Sequence, residues 1–353
     1  MEEKIKSRKI DRMNKYISIS DCEICRIIEQ KIHIDLQREQ KIPSWVEDLS
    51  TIYKIDEPSH SYTEAIKMLK KCSLCGTYYS YERYKDEGEH FMDIPYDNVY
   101  ITRWIPQRVL DFLSKNNMDE EFRELDGTYA EIIENFKDLL KDRIILNWHS
   151  KKYIIETLTD YYLLGNDWYS LEKSLLRHED PVVRLETASD LLYITREEYP
   201  VWSIRYFNEK LKKAGRRYIS RGKKWPVIVD VLRGIFQSES GETFYCHIDG
   251  YYKFTTFSVA VDLLGTAAYR KIDITEAIPD MLKLFSYDKD LNKRIWLNLY
   301  WYIKQGKENA QRVLDEIKRL QIDKNLEFLR EVIKDSEKKL AGKSYRKKKN
   351  KTA

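Results

Sequence analysis

Glycine and proline are scarce in this chain, with 12 and 8 occurrences in 353 residues, about half of their average usage. This shortage of chain-breaking residues excludes collagen, a turn-rich β-sandwich and a linker-dominated protein, and it favours helices. The sequence also lacks an uncharged apolar run of the roughly 18 residues that a membrane-spanning helix needs. It therefore predicts a mostly helical protein with no membrane partner.

Charge is abundant but unevenly placed, since 34% of the residues are charged and the formal net charge is +4. Eight basic residues and no acidic residue follow from Lys338 onward, so residues 1–337 carry a formal charge of −4. A basic tail of this kind is typical of a solvated segment, and it also suits an anionic surface or a nucleic acid. We predict that residues 341–353 form a disordered basic tail.

Four of the five cysteines form two Cys-x-x-Cys pairs, Cys22 with Cys25 and Cys72 with Cys75. Two intervening residues let both thiolates of a tight turn reach one tetrahedral ion at about 2.3 Å. A glycine at position 76 suits the turn of the second pair, because glycine tolerates a positive φ. We predict that the four thiolates hold one closed structural Zn²⁺ site, since a catalytic zinc site keeps one position open for water.

Two alternatives to this zinc site stay open. The cysteines are either reduced thiols without a metal, or one of them is replaced as a ligand by His33, His60 or His90. Intracellular chains with such pairs bind metal more often than they form disulfides, and the N-terminus lacks the apolar core of a signal peptide. The sequence therefore predicts a cytoplasmic protein.

The two cysteine pairs are separated by 46 residues, whereas simple zinc ribbons use roughly 15–20. The apolar spacing within residues 25–40 and 62–69 predicts a helical insertion. Residues 77–84 and 98–104 are rich in aromatic and β-branched side chains and predict two strands. Their tyrosines suit cross-strand pairing, with a base-stacking platform as the alternative. Residues 1–105 are therefore predicted to form a small zinc-binding α+β module.

Amphipathic segments follow one another from residue 106 to residue 340, and this succession predicts a bundle or an α-solenoid. Two of the segments, residues 175–194 and 285–303, each carry an aspartate four residues before an arginine. Asn298 of the second segment stands where the first has Ala188. This similarity over a long interval favours a repeat architecture.

Residues 168–195 resemble a HEAT repeat, which consists of a helix, an Asp-Pro turn and a second helix. The residues that carry the resemblance are Leu171, Leu175, Leu176, Asp180, Pro181, Val182, Val183, Arg184 and Ala188. The resemblance implies that residues 106–340 form a HEAT-like α-solenoid of helical hairpins. It also implies a polar ladder beneath the turns, made by Asp180, Arg184, Asp290 and Arg294.

The N-terminal element extends this resemblance. Residues 69–79 read Leu-x-x-Cys-x-x-Cys-Gly-Thr-Tyr-Tyr, and Ile-Thr-Arg follows at residues 101–103. Together with the helical region, the chain is similar to a group of bacterial HEAT-repeat proteins with an N-terminal zinc knuckle. That resemblance implies a zinc-knuckle module on a helical-repeat body and no established enzymatic activity.

The densest basic cluster of the helical region is residues 210–224. Its candidate anion-binding members are Lys212, Lys213, Arg216, Arg217, Arg221, Lys223 and Lys224. Such a cluster is typical of a solvated loop between helices, and it also suits the phosphates of a nucleic acid.

Residues 243–248 and 251–256 flank an Asp-Gly turn signal and predict a hairpin. Neighbouring strand residues point to opposite faces, which argues against Cys246 and His247 as a catalytic pair. We therefore expect a non-enzymatic binding scaffold that engages a protein partner and contains a structural zinc site. The alternative is a nucleic-acid-binding protein that uses residues 210–224 and the C-terminal tail.

Overall fold

The structure, a computed structural model, describes residues 19, 21–25, 31–38, 40–55, 63–86, 96–141, 148–194, 209–220, 226–237, 243–247, 251–285, 288–323 and 326–342. The chain divides into two units, residues 1–161 and 162–353. Helices dominate, as the composition predicts, and a small antiparallel sheet lies in the first unit. Among the described helices, none combines the length and the apolar character needed to cross a membrane.

Five antiparallel strands form the sheet of the first unit. They are β1 Lys31–Asp35, β2 Leu49–Ile55, β3 Thr63–Cys72, β4 Tyr78–Asp86 and β5 Tyr96–Trp104. The spatial order is β1-β5-β4-β3-β2, so β1 pairs with β5, the last of the five strands along the chain. Two 3₁₀ turns, Leu36–Arg38 and Ser44–Val46, lie between β1 and β2.

The strands predicted over residues 77–84 and 98–104 are confirmed, because β4 and β5 pair along their length. The helices predicted within residues 25–40 and 62–69 are wrong where the structure describes these residues, since β1 and β3 lie there. β3 is hydrogen-bonded to β2 on one side and to β4 on the other. This pairing on both edges overrides the helix propensity of its Glu, Ala, Met, Leu and Lys residues.

Three helices follow the sheet: α1 Pro106–Lys115, α2 Asp119–Lys141 and α3 Trp148–Gly165. The division between the two units falls within α3. Side chains of the sheet and of α1 and α2 share one apolar core, which includes Leu69, Tyr78, Trp104, Val109, Leu113 and Leu125. The domain boundary predicted at residue 105 therefore falls inside this shared core, between the sheet and the helices α1 and α2.

The second unit is built from short helices. They are α4 Trp168–Leu171, α5 Pro181–Ile194, α6 Glu209–Ser220, α7 Pro226–Gln237, α8 Thr256–Tyr269, α9 Ile278–Lys283, α10 Lys289–Gln305, α11 Lys307–Leu320 and α12 Glu327–Leu340. A π-helical turn, Glu172–Leu176, continues α4, and a 3₁₀ turn, Thr275–Ala277, precedes α9. The helix, turn and helix expected over residues 168–195 are present, whereas their stacking as a solenoid stays a prediction.

The hairpin predicted around residues 249–250 is confirmed. Strands β6 Thr243–His247 and β7 Tyr251–Thr255 pair antiparallel, with Cys246 opposite Tyr252 in the register. The turn between them and residues 343–353 of the predicted tail lie outside the described residues.

Helices α8 and α10 approach each other closely at Gly265. A Cβ atom added to Gly265 would lie 2.6 Å from Cβ of Asn298, closer than non-bonded carbon atoms pack. The Asn298 amide donates to Asp262 Oδ1 and to the Arg294 carbonyl oxygen, both at 2.9 Å. The absence of a side chain at residue 265 therefore leaves room for Asn298, which stands where the first repeat-like segment has Ala188.

Candidate metal centre

Cys72 and Cys75 lie at the hairpin that joins β3 to β4. Cys72 ends β3, and residues 73–75 turn the chain back toward β4. Hydrogen bonds from Cys72 N to Thr77 O, 2.8 Å, and from Gly76 N to Cys72 O, 3.0 Å, close this turn. Gly76 has a φ of 73°, in the left-handed region that favours glycine. The glycine after the second cysteine therefore has the conformational role that the sequence predicts.

Cys22 and Cys25 lie in a second tight turn, at residues 21–25. The Cys25 backbone N–H donates to Cys22 Sγ at 3.3 Å. This hydrogen bond closes the first turn around the Cys22 sulfur.

The two turns bring the sulfur atoms of all four cysteines within 4.8 Å of one another, and we name Cys22, Cys25, Cys72 and Cys75 the cysteine cluster. The distance between Cys22 Sγ and Cys72 Sγ is 3.8 Å. Four sulfur atoms bound tetrahedrally at about 2.3 Å would be separated by about 3.8 Å. The convergence of the two pairs is therefore confirmed, and the cysteine cluster could hold one metal ion.

Most of the cluster is removed from solvent. Cys22, Cys25 and Cys72 are fully buried, and Cys75 is partly exposed. The Cys75 sulfur lies 3.1 Å from Thr77 Oγ1. Because a buried polar group needs a partner, a metal ion would satisfy sulfur atoms that are otherwise bonded mainly to one another.

Hydrogen bonds among the thiols shift their pKa values in opposite directions. The bond with Cys25 contributes most to lowering the pKa of Cys72, to about 2. The bond with Cys72 contributes most to raising the pKa of Cys25 well above its usual range, and burial raises it further. The bond with Cys25 lowers the pKa of Cys75, but the bond with Cys72 and burial outweigh it and raise that pKa to about 12. Without a metal, these shifts favour the thiolate form of Cys72 and the protonated forms of Cys25 and Cys75.

A buried cation lies beside the cluster. Arg103 of β5 is 2% exposed, and its Nη2 donates to the backbone oxygen of Cys25. Its Cζ lies 5.8 Å from the ring centre of Tyr79 and 5.2 Å from that of Tyr153. These rings stabilise a desolvated cation, and the positive charge offsets part of the negative charge that thiolates bring into a buried site.

The supporting role of Arg103 was not predicted from the sequence, although a signal for it exists. Alternate strand residues share a face, so Arg103 lies on the same face of β5 as Val99 and Ile101, both buried. An arginine on an otherwise apolar strand face indicates a buried charge that needs partners.

His33 does not belong to the cysteine cluster. It is exposed, its ring stacks on Tyr100 at 4.8 Å, and its Nε2 lies 2.9 Å from Asn98 Oδ1. The other two histidines considered as ligands, His60 and His90, lie outside the described residues.

The polar ladder stays a prediction, and the structure places its members in local contacts. Asp180 Oδ1 accepts from Val182 N at 2.8 Å at the start of α5. Arg184 donates to the His178 backbone oxygen at 3.2 Å. These contacts stabilise the turn of the first repeat-like segment.

The second repeat-like segment uses a different residue at the start of its helix. Asp288, rather than Asp290, caps α10 by accepting from two backbone N–H groups. Arg294 forms an ion pair with Asp262 of α8. The ladder residues Asp290 and Arg294 thus differ in their surroundings from Asp180 and Arg184.

The described part of the basic cluster is a helix, so the expectation of a loop is wrong for residues 210–220. α6 carries Lys212, Lys213, Arg216 and Arg217 and buries Leu211 and Ala214. An amphipathic helix presents its charged residues on the face opposite its buried residues. Arg221, Lys223 and Lys224 lie outside the described residues.

The chemistry of the cluster is that of a closed ligand set. Four soft sulfur ligands around one point suit zinc or a related ion and complete a tetrahedral coordination sphere. Neither the comparison with protein-family models nor the comparison with curated proteins found a match for this chain.

Proposed function

We propose that the cysteine cluster binds one structural Zn²⁺ ion and that the chain is a non-enzymatic scaffold whose second unit binds a protein partner. The observation that carries the metal site is the convergence of four sulfur atoms within 4.8 Å of one another. Four thiolates complete the coordination of zinc, so they leave no position for a substrate or an activated water.

The role of the ion is to join two distant parts of the chain. It links the turn at residues 21–25 to the β3–β4 hairpin, with 46 residues between the two pairs. Closing so long a loop costs conformational entropy, and metal binding offsets this cost because the ion binds the folded chain. The zinc site thereby stabilises a sheet whose first strand begins soon after the first cysteine turn.

Zinc affinity is expected to rise with pH. Zinc binds thiolates, so it must displace the protons that the raised pKa values keep on Cys25 and Cys75. The release of at least two protons predicts an affinity that increases at least about 100-fold per pH unit between pH 6 and 8. Competition with a chromophoric chelator across this range measures the slope, and a slope of zero would contradict proton displacement from the cluster.

Substitution Arg103→Gln is expected to weaken zinc binding by roughly 10-fold. The variant loses the charged donor to the Cys25 carbonyl and the cation that offsets the thiolate charge. Arg83→Gln is the control, because Arg83 of β4 pairs with Asp97 at 2.6 Å and is one-third exposed. Chelator competition measures the zinc affinity of both variants. Equal zinc affinities of Arg103→Gln and Arg83→Gln would show that Arg103 does not support the site.

The scaffold role is supported by the surface of the second unit. Among the described residues of this unit, large apolar side chains are exposed at Tyr169, Tyr269, Leu297 and Trp301. The last three lie together, since the ring centres of Tyr269 and Trp301 are 5.0 Å apart and Leu297 is one turn before Trp301 on α10. Isolated exposed apolar residues are ordinary, whereas a cluster of them is typical of a protein-binding surface.

Affinity capture from native lysate, with and without nuclease, tests this role. We compare the wild type with Trp301→Ala and with Tyr169→Ala, a control at an exposed tyrosine of the same unit. A partner protein should survive nuclease, remain with Tyr169→Ala and be lost from Trp301→Ala, because interface tryptophans often dominate binding. Identical recovery by all three chains, or recovery of nucleic acid alone, would contradict the scaffold role.

A second candidate function is nucleic-acid binding through α6. Lys210, Lys213, Arg216 and Arg217 are exposed on this helix, and such side chains can neutralise phosphates. In the same capture experiment, recovery of nucleic acid that falls steeply with added salt would favour this function over the protein scaffold.

A further inference from the structure

Three exposed apolar residues of the second unit lie together and define a surface. We name it the aromatic patch, and its members are Tyr269, Leu297, Tyr300, Trp301 and Lys304. Tyr269, Leu297 and Trp301 are 57%, 44% and 38% exposed. Aromatic residues are enriched at protein interfaces, and their apolar cores become buried only when the partner binds.

Contacts within the unit hold the patch in place. The ring centres of Tyr300 and Trp301 are 5.6 Å apart, and Lys304 Nζ lies 5.1 Å from the Trp301 ring centre. The Gln305 amide donates to the Ala268 carbonyl oxygen and ties the end of α10 to the end of α8. Because its side chains already have packing partners, the patch would lose little conformational freedom on binding.

Acidic residues are missing from both segments that carry the patch. Residues 263–272 and 291–307 contain no aspartate or glutamate. The lysines at 271, 293, 304 and 307 are exposed, and Lys339 of α12 donates to the Lys304 backbone oxygen. Acidic residues flank these segments at Asp262, which pairs with Arg294, and at Asp273, Asp290 and Glu308. On α10, however, Lys293 lies one turn before Leu297 and Lys304 one turn after Trp301, so the apolar centre has a lysine on each side along this helix.

We propose that the aromatic patch binds an acidic peptide segment of a partner protein, an inference that rests on the scaffold role proposed above. Carboxylates of the peptide would lie near Lys293 and Lys304, which makes the two charges complementary. An apolar side chain of the peptide would pack against Leu297 and Trp301.

Two other occupants are disfavoured by the same observations. Nucleobases stack on aromatic rings, whereas the exposed Leu297 suits an aliphatic or aromatic side chain of a peptide. The segment that follows α12 has six basic residues from Lys343 onward and no acidic residue, and charge of the same sign repels it from the lysines that flank the apolar centre.

Selection of binders from a phage-displayed library of short random peptides on the full-length protein tests this inference. We expect the enriched peptides to be acidic and to contain leucine or aromatic residues. A fluorescein-labelled synthetic copy of an enriched peptide should bind Trp301→Ala at least about tenfold more weakly than the wild type. Tyr169→Ala should bind it as the wild type does.

Charge reversal gives a second test that leaves the apolar centre intact. The double variant Lys293→Glu, Lys304→Glu should bind the acidic peptide at least about tenfold more weakly than the wild type does. Replacement of the acidic peptide residues by their amides should weaken binding to the wild type in the same way. Because these lysine side chains are exposed, we expect each variant to unfold at the temperature of the wild type. An unchanged unfolding temperature would show that the loss of peptide binding is not due to misfolding.

The outcomes separate this inference from the scaffold role. The inference of an acidic peptide would be overturned if the enriched peptides were neutral or basic, if no peptide were enriched, or if charge reversal left binding unchanged. None of these outcomes would alter the result of the capture experiment. The inference would also be overturned if the wild type bound labelled poly(U) RNA or associated with itself and Trp301→Ala abolished that binding. The patch would then have a different occupant. Failure of the scaffold role would appear in the capture experiment, as recovery that does not depend on Trp301.

Discussion

Substitution of Cys72 by serine is expected to lower the zinc content from about one ion per chain to nearly zero. Cys72 is fully buried, ends β3 and shares hydrogen bonds with Cys25 and Cys75. The loss of one ligand also removes the link between the two cysteine turns, so the free energy of unfolding of the first unit should fall by about 4 kcal/mol or more. Metal analysis and thermal unfolding followed by circular dichroism measure the two effects.

The matched control is Cys246→Ser, which changes the one cysteine that is not part of the cluster. This variant should retain zinc and the stability of the first unit. Treatment of the wild type with a strong chelator should reproduce the unfolding seen for Cys72→Ser. A Cys72→Ser protein that keeps a full complement of zinc, or a wild type that binds none at saturating zinc, would show that the cysteine cluster is not a zinc site.

Substitution of Gly265 by alanine is expected to destabilise the second unit by about 3 kcal/mol. The new Cβ would lie 2.6 Å from Cβ and 1.7 Å from Oδ1 of Asn298. The Asn298 side chain cannot simply turn away, since it donates to Asp262 and to the Arg294 carbonyl oxygen. Helices α8 and α10 must therefore separate, and chemical denaturation of the second unit measures the cost.

The comparison with a second helical glycine isolates the steric effect. A Cβ at Gly234, within α7, would meet no atom within 4 Å, so Gly234→Ala should stabilise the protein by about 0.5–1 kcal/mol through helix propensity. In the Asn298→Ala background, Gly265→Ala should cost less than about 1 kcal/mol because the clash is removed. A cost that is the same in both backgrounds would refute the steric explanation.

The cysteine cluster shows which part of a site is visible in a sequence. The spacing of two residues within each pair and the glycine at position 76 specify the turns, because these are local properties of the chain. The approach of the pairs across 46 residues could be predicted only from the chemistry of a shared ion. Arg103, by contrast, joins the site through the pairing of β5 with β4, and long-range pairing has no simple local signal.

The error over β3 has a related cause. Residues 63–72 contain many helix-forming side chains, so their local preference contradicts the strand that the fold imposes. Two hydrogen-bonded neighbours and the burial of Leu69 outweigh that preference. β4 and β5 were predicted correctly because their tyrosine, valine and isoleucine residues favour the same state as the tertiary contacts.

The spatial order of the sheet determines when the cysteine cluster can be completed during synthesis. Cys72 and Cys75 lie on a local hairpin, which needs only β3 and β4 to have left the ribosome. β1 pairs with β5, so the strand that follows the first cysteine turn has no partner until residue 104 has been made. Contacts over such distances form slowly. We therefore expect Cys72 and Cys75 to be in position before Cys22 and Cys25 during synthesis, so that binding of a metal ion by all four would be a late step.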